Sequence, residues 1–332
     1  MRKIRFRIAS LRLHRTKEGT LATLCYDSWS RLLSESRFRT GGATLMDVRV
    51  TNVAEFIEEL TTLRLREGSM RFFRGHADFR KYKIRPTVYR HRRFIANESN
   101  LINEAVIRCP ADFPDSCTFF EKLVRLQHYG LPTRLLDVTS NALAALYFAC
   151  REKERTTGEV LVFDIPQEDI KYYNSDTVAV IANLARRPYS FDLDRLPPSQ
   201  KHFNEDPEMG RFLFDIQEDK PAFRPIIRKD DLRRVVCARA KLDNARIARQ
   251  DGAFLLFGIR DRKSKSATVP SDWIVCGNDS KRIIFSNKHR IKQELAQFGI
   301  SEQTLFPELD YQTKSIVQRF KGKYRRRSDH RK

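Results

Sequence analysis

The order of apolar and polar residues along the chain predicts short strands interleaved with helices. Residues 47–50 alternate like a strand, and Asn52 then precedes apolar residues at helical spacing, as a helix cap does. The same patterns predict further strands at 70–74, 134–138, 160–164, 235–238, 254–258 and 283–285, and helices at 97–108, 117–128, 141–150 and 288–298. Because the helices are uneven in length and short strands cluster late, we predict an α+β fold with mixed, mostly antiparallel sheets and flanking helices.

The periodicity also predicts where the domain begins and ends. Residues 1–45 have no sustained period, and we expect a disordered arm or upstream sequence there, with Met46 as the hypothetical initiator. Residues 46–313 are predicted to form one domain, in which residues 186–230, rich in Pro, Asp and Arg, read as an irregular insertion. Residues 314–332 are predicted to be a basic C-terminal tail.

The charge is concentrated at the two ends of the chain. Of the formal net charge of +21, residues 1–45 carry +7 and residues 314–332 carry +8, which leaves +6 for the remainder. Such a tail predicts sequence-independent contact with nucleic acid, and a solvated terminus without a partner is an equally open interpretation.

Cysteine spacing and hydropathy narrow the class of protein. The six cysteines are scattered, without the spacing of a zinc site or a disulfide framework, so we expect reduced thiols, no metal and a cytoplasmic location. No uninterrupted apolar run approaches the length of a membrane span, and the oligomeric state stays open.

A first candidate site segment runs from Phe72 to His76. Arg74 at the end of an apolar strand puts a fixed cation at the edge of a sheet, and Gly75 would let a ligand approach the backbone. A guanidinium suits a phosphate or carboxylate. The alternative is a structural arginine paired with an acid such as Asp137.

A second segment, residues 126–141, is denser in polar groups. It reads LQHYGLPTRLLDVTSN and lies between two apolar stretches. Convergent polar groups beside apolar walls indicate a pocket, although local helix capping explains two or three of them. The candidate ligand-binding residues here are Gln127, His128, Tyr129, Thr133, Arg134, Thr139 and Asn141.

A third segment places Arg246, Gln250 and Asp251 just before a predicted buried strand. Common sequence signatures of hydrolases, kinases, dehydrogenases and metallopeptidases are absent from the chain, which weakens those interpretations. The candidate catalytic residues are Gln250, Asp251 and Asp137.

Together these segments resemble the FRG domain, a bacterial family named for a Phe/Tyr-Arg-Gly motif, which here is Phe73-Arg74-Gly75. QHYGLPTRLLDVTSNALAALYFA is similar to its second block, RIARQDGAFLLF at 246–257 to its third and GISEQTLFPELD at 299–310 to its closing stretch. The resemblance covers about residues 47–311. It implies a protein of phage or defence contexts whose activity is unsettled.

A weaker resemblance is to ADP-ribosyltransferases, which bind NAD with an Arg or His, a Ser/Thr-bearing strand and a late Glu. It implies that Arg74 holds an NAD phosphate, that His128 and Thr139 orient the nicotinamide ribose, and that Gln250 or Asp251 faces the reaction centre. The expected late-strand Glu is absent, which leaves catalysis open. The alternative is a non-enzymatic module that recognises a nucleotide, a peptide or nucleic acid.

Overall fold

A computed structural model describes residues 47–241, 245–277, 280–308, 312–313 and 316–317. The predicted N-terminal extension lies outside these residues, as does the predicted basic tail except for Ile316 and Val317. Neither prediction is therefore examined by the structure.

Among the described residues, nine strands form one mixed sheet. Eight follow the order β1-β9-β4-β2-β3-β7-β6-β5, and β8 pairs with β4. Only the pairs β1–β9 and β5–β6 are parallel, so the predicted α+β class with a mostly antiparallel sheet is confirmed. The strands are β1 (Val48–Val50), β2 (Ser69–His76), β3 (Leu135–Thr139), β4 (Gly158–Pro166), β5 (Ile170–Tyr172), β6 (Val235–Arg239), β7 (Gly252–Phe257), β8 (Ile274–Cys276) and β9 (Ile283–Phe285).

The helices begin where the sequence provides caps. The Asn52 side chain accepts from the Glu55 N–H as predicted, and Thr118 and Glu121 form a reciprocal capping box. No described helix has both the length and the apolar character needed to cross a membrane. The helices are α1 (Val53–Thr62), α2 (Arg92–Ala96), α3 (Glu98–Arg108), α4 (Phe119–His128), α5 (Ala142–Arg151), α6 (Asp176–Asn183), α7 (Gln200–Glu205), α8 (Pro207–Asp219), α9 (Lys229–Arg233), α10 (Ala245–Arg249), α11 (Lys288–Gln297) and α12 (Glu302–Leu305).

Successive residues of the central strands enter different cores, because side chains alternate across a strand. Phe73 packs with residues of α5 and α11, whereas Phe72 packs in a core that includes Trp273. On β7, Phe254 joins a third core formed largely by α4, α6 and α8. The two helical groups thus pack beside different strands of one sheet.

The stretch predicted to be an irregular insertion, residues 186–230, contains regular helices. This stretch contains α7, α8 and the beginning of α9, and Asp206 caps α8 with Pro207 at its first turn. Proline is favoured there because its missing N–H would have no helical partner. Phe212 and Ile216 are buried along one face of α8, so the proline that suggested a loop instead marks a helix start.

The packing of β2 against α5 explains the glycine of the Phe-Arg-Gly motif. A Cβ atom built on Gly75 would lie 2.0 Å from the Ala145 carbonyl oxygen and 2.6 Å from the Ala149 amide nitrogen. Both are backbone atoms of a helix, which cannot move aside as a flexible side chain can. Gly75 therefore permits close approach of α5, which gives the glycine a packing role beside the predicted one of leaving room for a ligand.

We expect Gly75→Ala to lower the free energy of unfolding by about 3 kcal/mol, since overpacking a tight contact costs about 1–3 kcal/mol or more. Urea denaturation followed by circular dichroism measures the change. Gly210→Ala in α8 is the matched control, because its Cβ meets nothing within 4 Å. The control is expected to be stabilising by up to about 1 kcal/mol, and equal stability of the two variants would contradict the packing argument.

Candidate functional site

A cavity of about 300 Å³ opens beside the central strands. Its walls come from β2, β3, β7, α4, α5 and α10, which are far apart in the sequence. Phe73, Phe148 and Phe254 contribute apolar surface, and the remaining wall is largely polar. Its volume lies at the lower end of the range for small-molecule sites, which is about 300–1,000 Å³.

The cavity forms where β2 and β3 diverge. The two strands are paired only at Phe73 and Thr139, whereas β2 pairs with β4 over all eight of its residues. Continuation of the β2–β3 ladder would set Gly75 opposite Asp137, but no such pair exists. The Arg74 guanidinium instead donates to the Asp137 carbonyl oxygen. The Arg74 side chain thus provides a hydrogen bond for the Asp137 carbonyl oxygen, which has no backbone partner on β2 because the two strands diverge here.

Arg74 and Asp137 belong to a polar network on the cavity wall. Nη1 of Arg74 lies 3.7 Å from Asp137 Oδ2, and Gln127 Nε2 donates to the same oxygen at 3.1 Å. Thr133 Oγ1 in turn donates to Gln127 Oε1 at 2.7 Å. The Asp137 side chain is 59% exposed and that of Arg74 17%. The predicted Arg74–Asp137 pair therefore exists and also lines the cavity.

The charged groups of the cavity give it a positive balance. Four guanidinium groups line it, from Arg74, Arg90, Arg151 and Arg246, against the carboxylates of Asp137 and Glu152. An arginine stays protonated in proteins, so these charges are fixed. Burial lowers the pKa of both His76 and His128, which favours their neutral forms. The cavity is therefore suited to an anion.

Residues 301–308, called the strap below, contact several of the residues that line the cavity. Leu305 and Phe306 are buried, and the Leu305 carbonyl accepts from Gln250 Nε2 at 2.9 Å. The Phe306 ring lies 4.2 Å from the guanidinium carbon of Arg151 and 4.6 Å from that of Arg246. These cation–π contacts anchor the strap to two of the arginines.

Two strap carboxylates reach the same basic groups. Glu308 Oε1 lies 3.2 Å from His128 Nε2 and 3.8 Å from Arg246 Nη1. Glu302 Oε1 lies 3.5 Å from Arg151 Nη2. The strap therefore places two negative charges beside basic side chains that an anionic ligand would also contact.

The structure brings seven of the twelve predicted site residues to the cavity: Arg74, Gly75, Gln127, His128, Asp137, Thr139 and Gln250. Thr139 Oγ1 donates to the Gln250 carbonyl at 2.5 Å, which ties β3 to the segment before β7. The other five, Tyr129, Thr133, Arg134, Asn141 and Asp251, are not among the residues that line it.

Local structure explains four of those five. Tyr129 ends α4 and is exposed, and buried Thr133 supports Gln127 from behind the wall. The Asn141 side chain caps α5 by accepting from the Leu143 and Ala144 N–H groups. Asp251 has a left-handed φ of 45° and its carbonyl accepts from the Ser140 N–H at 3.1 Å. These residues shape the turns around the cavity.

Arg134 is a core residue, which corrects its assignment to the ligand site. Its side chain is fully buried and forms a bidentate pair with Glu98, at 3.0 Å from Nε to Oε1 and 2.6 Å from Nη2 to Oε2. Lys263 Nζ lies 3.3 Å from the same carboxylate. Burial would raise the pKa of Glu98, but Arg134 and Lys263 outweigh it and hold that pKa below its usual value.

The cavity also contains His76 and Arg246, which lie in the candidate segments but were not predicted to bind or react. Further lining residues that were not predicted are Tyr82, Arg90, Phe148, Arg151 and Glu152. His76 follows the Phe-Arg-Gly motif directly, and Arg151 lies one helical turn beyond Phe148 on α5. The spacing of three residues from Phe148 indicates that Arg151 lies on the same face of the helix. Arg90 follows the first candidate segment at short distance, whereas nothing in the pattern around Tyr82 distinguishes it from an ordinary loop residue.

Comparison with known proteins supports one of the two resemblances. Residues 69–158 match the family model of the FRG domain, so the predicted FRG domain is confirmed over β2 to the start of β4. No curated protein and no solved structure matches the chain. Among the described residues, no group of three or more His, Cys, Asp or Glu side chains is arranged to hold a metal ion.

We expect Glu98→Gln to destabilise the protein by about 3–5 kcal/mol at pH 7, because it leaves Arg134 and Lys263 buried without a counter-charge. Glu104→Gln on the same helix, where Glu104 forms an exposed pair with Arg108, should change stability by less than about 1 kcal/mol. Chemical denaturation of the three proteins measures both effects.

The deficit of Glu98→Gln should also depend on pH. The folded-state pKa of Glu98 is depressed, so the ionised carboxylate stabilises the fold at pH values above the unfolded-state pKa. This stabilisation is lost as the pH falls through the folded-state pKa. The difference between wild type and Glu98→Gln should therefore shrink in acid. A deficit independent of pH would contradict the charge-based account.

Proposed function

We propose that this FRG-domain protein binds a nucleotide-type anion, with NAD as the first candidate, in the cavity around Arg74. We further propose that it acts as an ADP-ribosyltransferase-like effector in a bacterial cytoplasmic phage-defence system. The observation that carries the binding proposal is the convergence of four arginines on one partly apolar cavity.

The chemistry of the walls supports a phosphate-bearing ligand. Guanidinium groups match phosphate oxygens in a bidentate geometry and remain charged at every physiological pH. Phe148 and Phe254 offer apolar surface on which a base or a nicotinamide ring could pack. Because the cavity holds about 300 Å³, it fits one portion of a dinucleotide better than the whole molecule.

A transferase activity would need a carboxylate near the reacting sugar, and Asp137 is the best candidate. Its side chain lies on the cavity wall beside Arg74, where it could stabilise positive charge developing on the ribose. Gln250 carries no charge and its amide nitrogen donates to the strap at Leu305. Asp251 is not among the residues that line the cavity, so its carboxylate is a poorer candidate than that of Asp137.

The second candidate function is a non-enzymatic module that recognises a nucleotide, peptide or nucleic acid. It is favoured by the engagement of Asp137 with Gln127 and Arg74, which leaves this carboxylate partly neutralised. NAD recovered intact after prolonged incubation with protein that binds it would favour this function. Independently of the cavity, we propose that the basic tail at 314–332 supplies sequence-independent contact with nucleic acid, given its charge of +8.

We expect Arg74→Gln to weaken NAD binding at least tenfold in titration calorimetry, because a charge-assisted hydrogen bond contributes about 1.5–3 kcal/mol. Arg195→Gln removes the same charge from a surface site whose side chain is 80% exposed, and should leave the affinity unchanged. Thermal melting establishes that each variant is folded. Absence of heat with NAD and folded wild-type protein would refute the proposal for this ligand.

We expect Glu308→Gln to strengthen binding of the same ligand by about two- to fivefold. The substitution removes a carboxylate that competes for His128 and Arg246, and a partly exposed ion pair contributes about 0.2–1 kcal/mol. Glu104→Gln serves as the control for loss of one negative charge on the surface. Equal or weaker binding by Glu308→Gln would show that the strap does not oppose the ligand.

A further inference from the structure

His76, one of the residues that line the cavity, carries a buried ring nitrogen without a hydrogen-bond partner among the described residues. The residue lines the cavity and is only 3% exposed, and its ring lies 5.8 Å from that of Tyr82, another lining residue. Its Nδ1 lies 3.0 Å from Oε1 of Glu159, its cross-strand partner in the β2–β4 ladder. Its Nε2 is buried and has no hydrogen-bond partner among the described residues.

The contact with Glu159 determines which ring nitrogen holds the proton. A carboxylate accepts hydrogen bonds, so Nδ1 of His76 is the donor and Nε2 of a neutral ring is left with a lone pair. Burial, together with the nearby charges of Arg74 and Arg90, favours the neutral ring. The neutral ring of His76 therefore has a hydrogen-bond acceptor at Nε2, whereas the arginines that line the cavity can only donate.

A purely structural role for His76 would leave its buried Nε2 without a hydrogen bond. Buried polar atoms are nearly always hydrogen-bonded, because burial removes their hydrogen bonds to water and that free-energy cost is otherwise not compensated. The same ring already satisfies Nδ1 through Glu159, whose other oxygen lies 3.5 Å from Arg282 Nε. One half of the imidazole is thus held in place, while Nε2 in the other half has no hydrogen-bond partner within the part of the chain that the structure describes.

We propose that His76 is the hydrogen-bond acceptor and general base of the cavity, acting on a hydroxyl group through Nε2, and that Glu159 is its positioning residue. This inference rests on the proposed binding of NAD or a related sugar phosphate. In transfer from NAD, the C1′–N bond breaks with its electron pair leaving on nicotinamide, and the acceptor oxygen bonds to C1′. The proton of that oxygen moves to His76 Nε2, and the resulting imidazolium is stabilised by the Glu159 carboxylate.

The first test uses ADP-ribose, which keeps the hydroxyl groups and diphosphate of NAD. In His76→Asn the amide nitrogen can still donate to Glu159, but no acceptor remains at the position of Nε2. We expect about tenfold weaker ADP-ribose binding in calorimetry and loss of NAD turnover. His289→Asn, on the surface at the start of α11, is the matched control and should match wild type.

The second test does not depend on any substituted protein folding. Nitrogen-15 NMR of labelled histidine in the ligand-free protein should show His76 as a neutral ring with its proton on Nδ1. Addition of ADP-ribose should shift the Nε2 signal. In Glu159→Gln, where the carboxylate is lost but the size is kept, the preference for the Nδ1 proton should weaken. Because Glu159 raises the pKa of His76, the acid limb of the turnover profile should move to lower pH in this variant, with a lower maximal rate.

The outcomes separate this inference from the proposed function. If wild type and His76→Asn bind ADP-ribose equally, or if Nε2 carries the proton in the free protein, the role of His76 is refuted while nucleotide binding stands. If folded wild type binds neither ADP-ribose nor NAD, the proposed function is refuted and the ligand contact of His76 with it. Weaker binding together with a shifted Nε2 signal supports both.

Discussion

The close contact of β2 with α5 at Gly75 is the constraint on which the site depends. The backbone of α5 occupies the space that any side chain at this position would need. Arg74 and His76 flank the glycine on the same strand and both line the cavity. The helix also begins just after β3 ends, so one packing contact relates the two strands whose divergence creates the cavity.

The second organising feature is a balance of charge around a buried space. Fixed cations on β2, α5 and α10 would repel one another without negative groups nearby. Asp137 compensates from within the wall, and Glu302 and Glu308 compensate from the strap. Arg134 is fully buried away from the cavity and has its own carboxylate at Glu98, so this structural arginine is separate from those that line the cavity.

Periodicity alone predicted the class of fold and most central elements, since strands such as 283–285 and caps such as Asn52 have strong local signals. It could not separate Arg134 from Arg74, because a buried ion pair and a ligand contact use the same residue type. The role of Glu98, thirty-six positions from Arg134 in the chain, is set by tertiary packing. Tertiary packing also brings Phe306 of the strap against Arg151 and Arg246. No local sequence signal links these three residues.

The segment that matches the family model forms only one side of the cavity. Residues 69–158 supply Arg74, His76, Asp137 and the α5 wall, but the match ends one residue before Glu159. The opposite wall on α10 and β7, and the strap, lie entirely beyond it. A protein that shared only this segment would keep three of the four cavity arginines, Arg74, Arg90 and Arg151. It would need other residues in place of the wall that α10 and β7 form here.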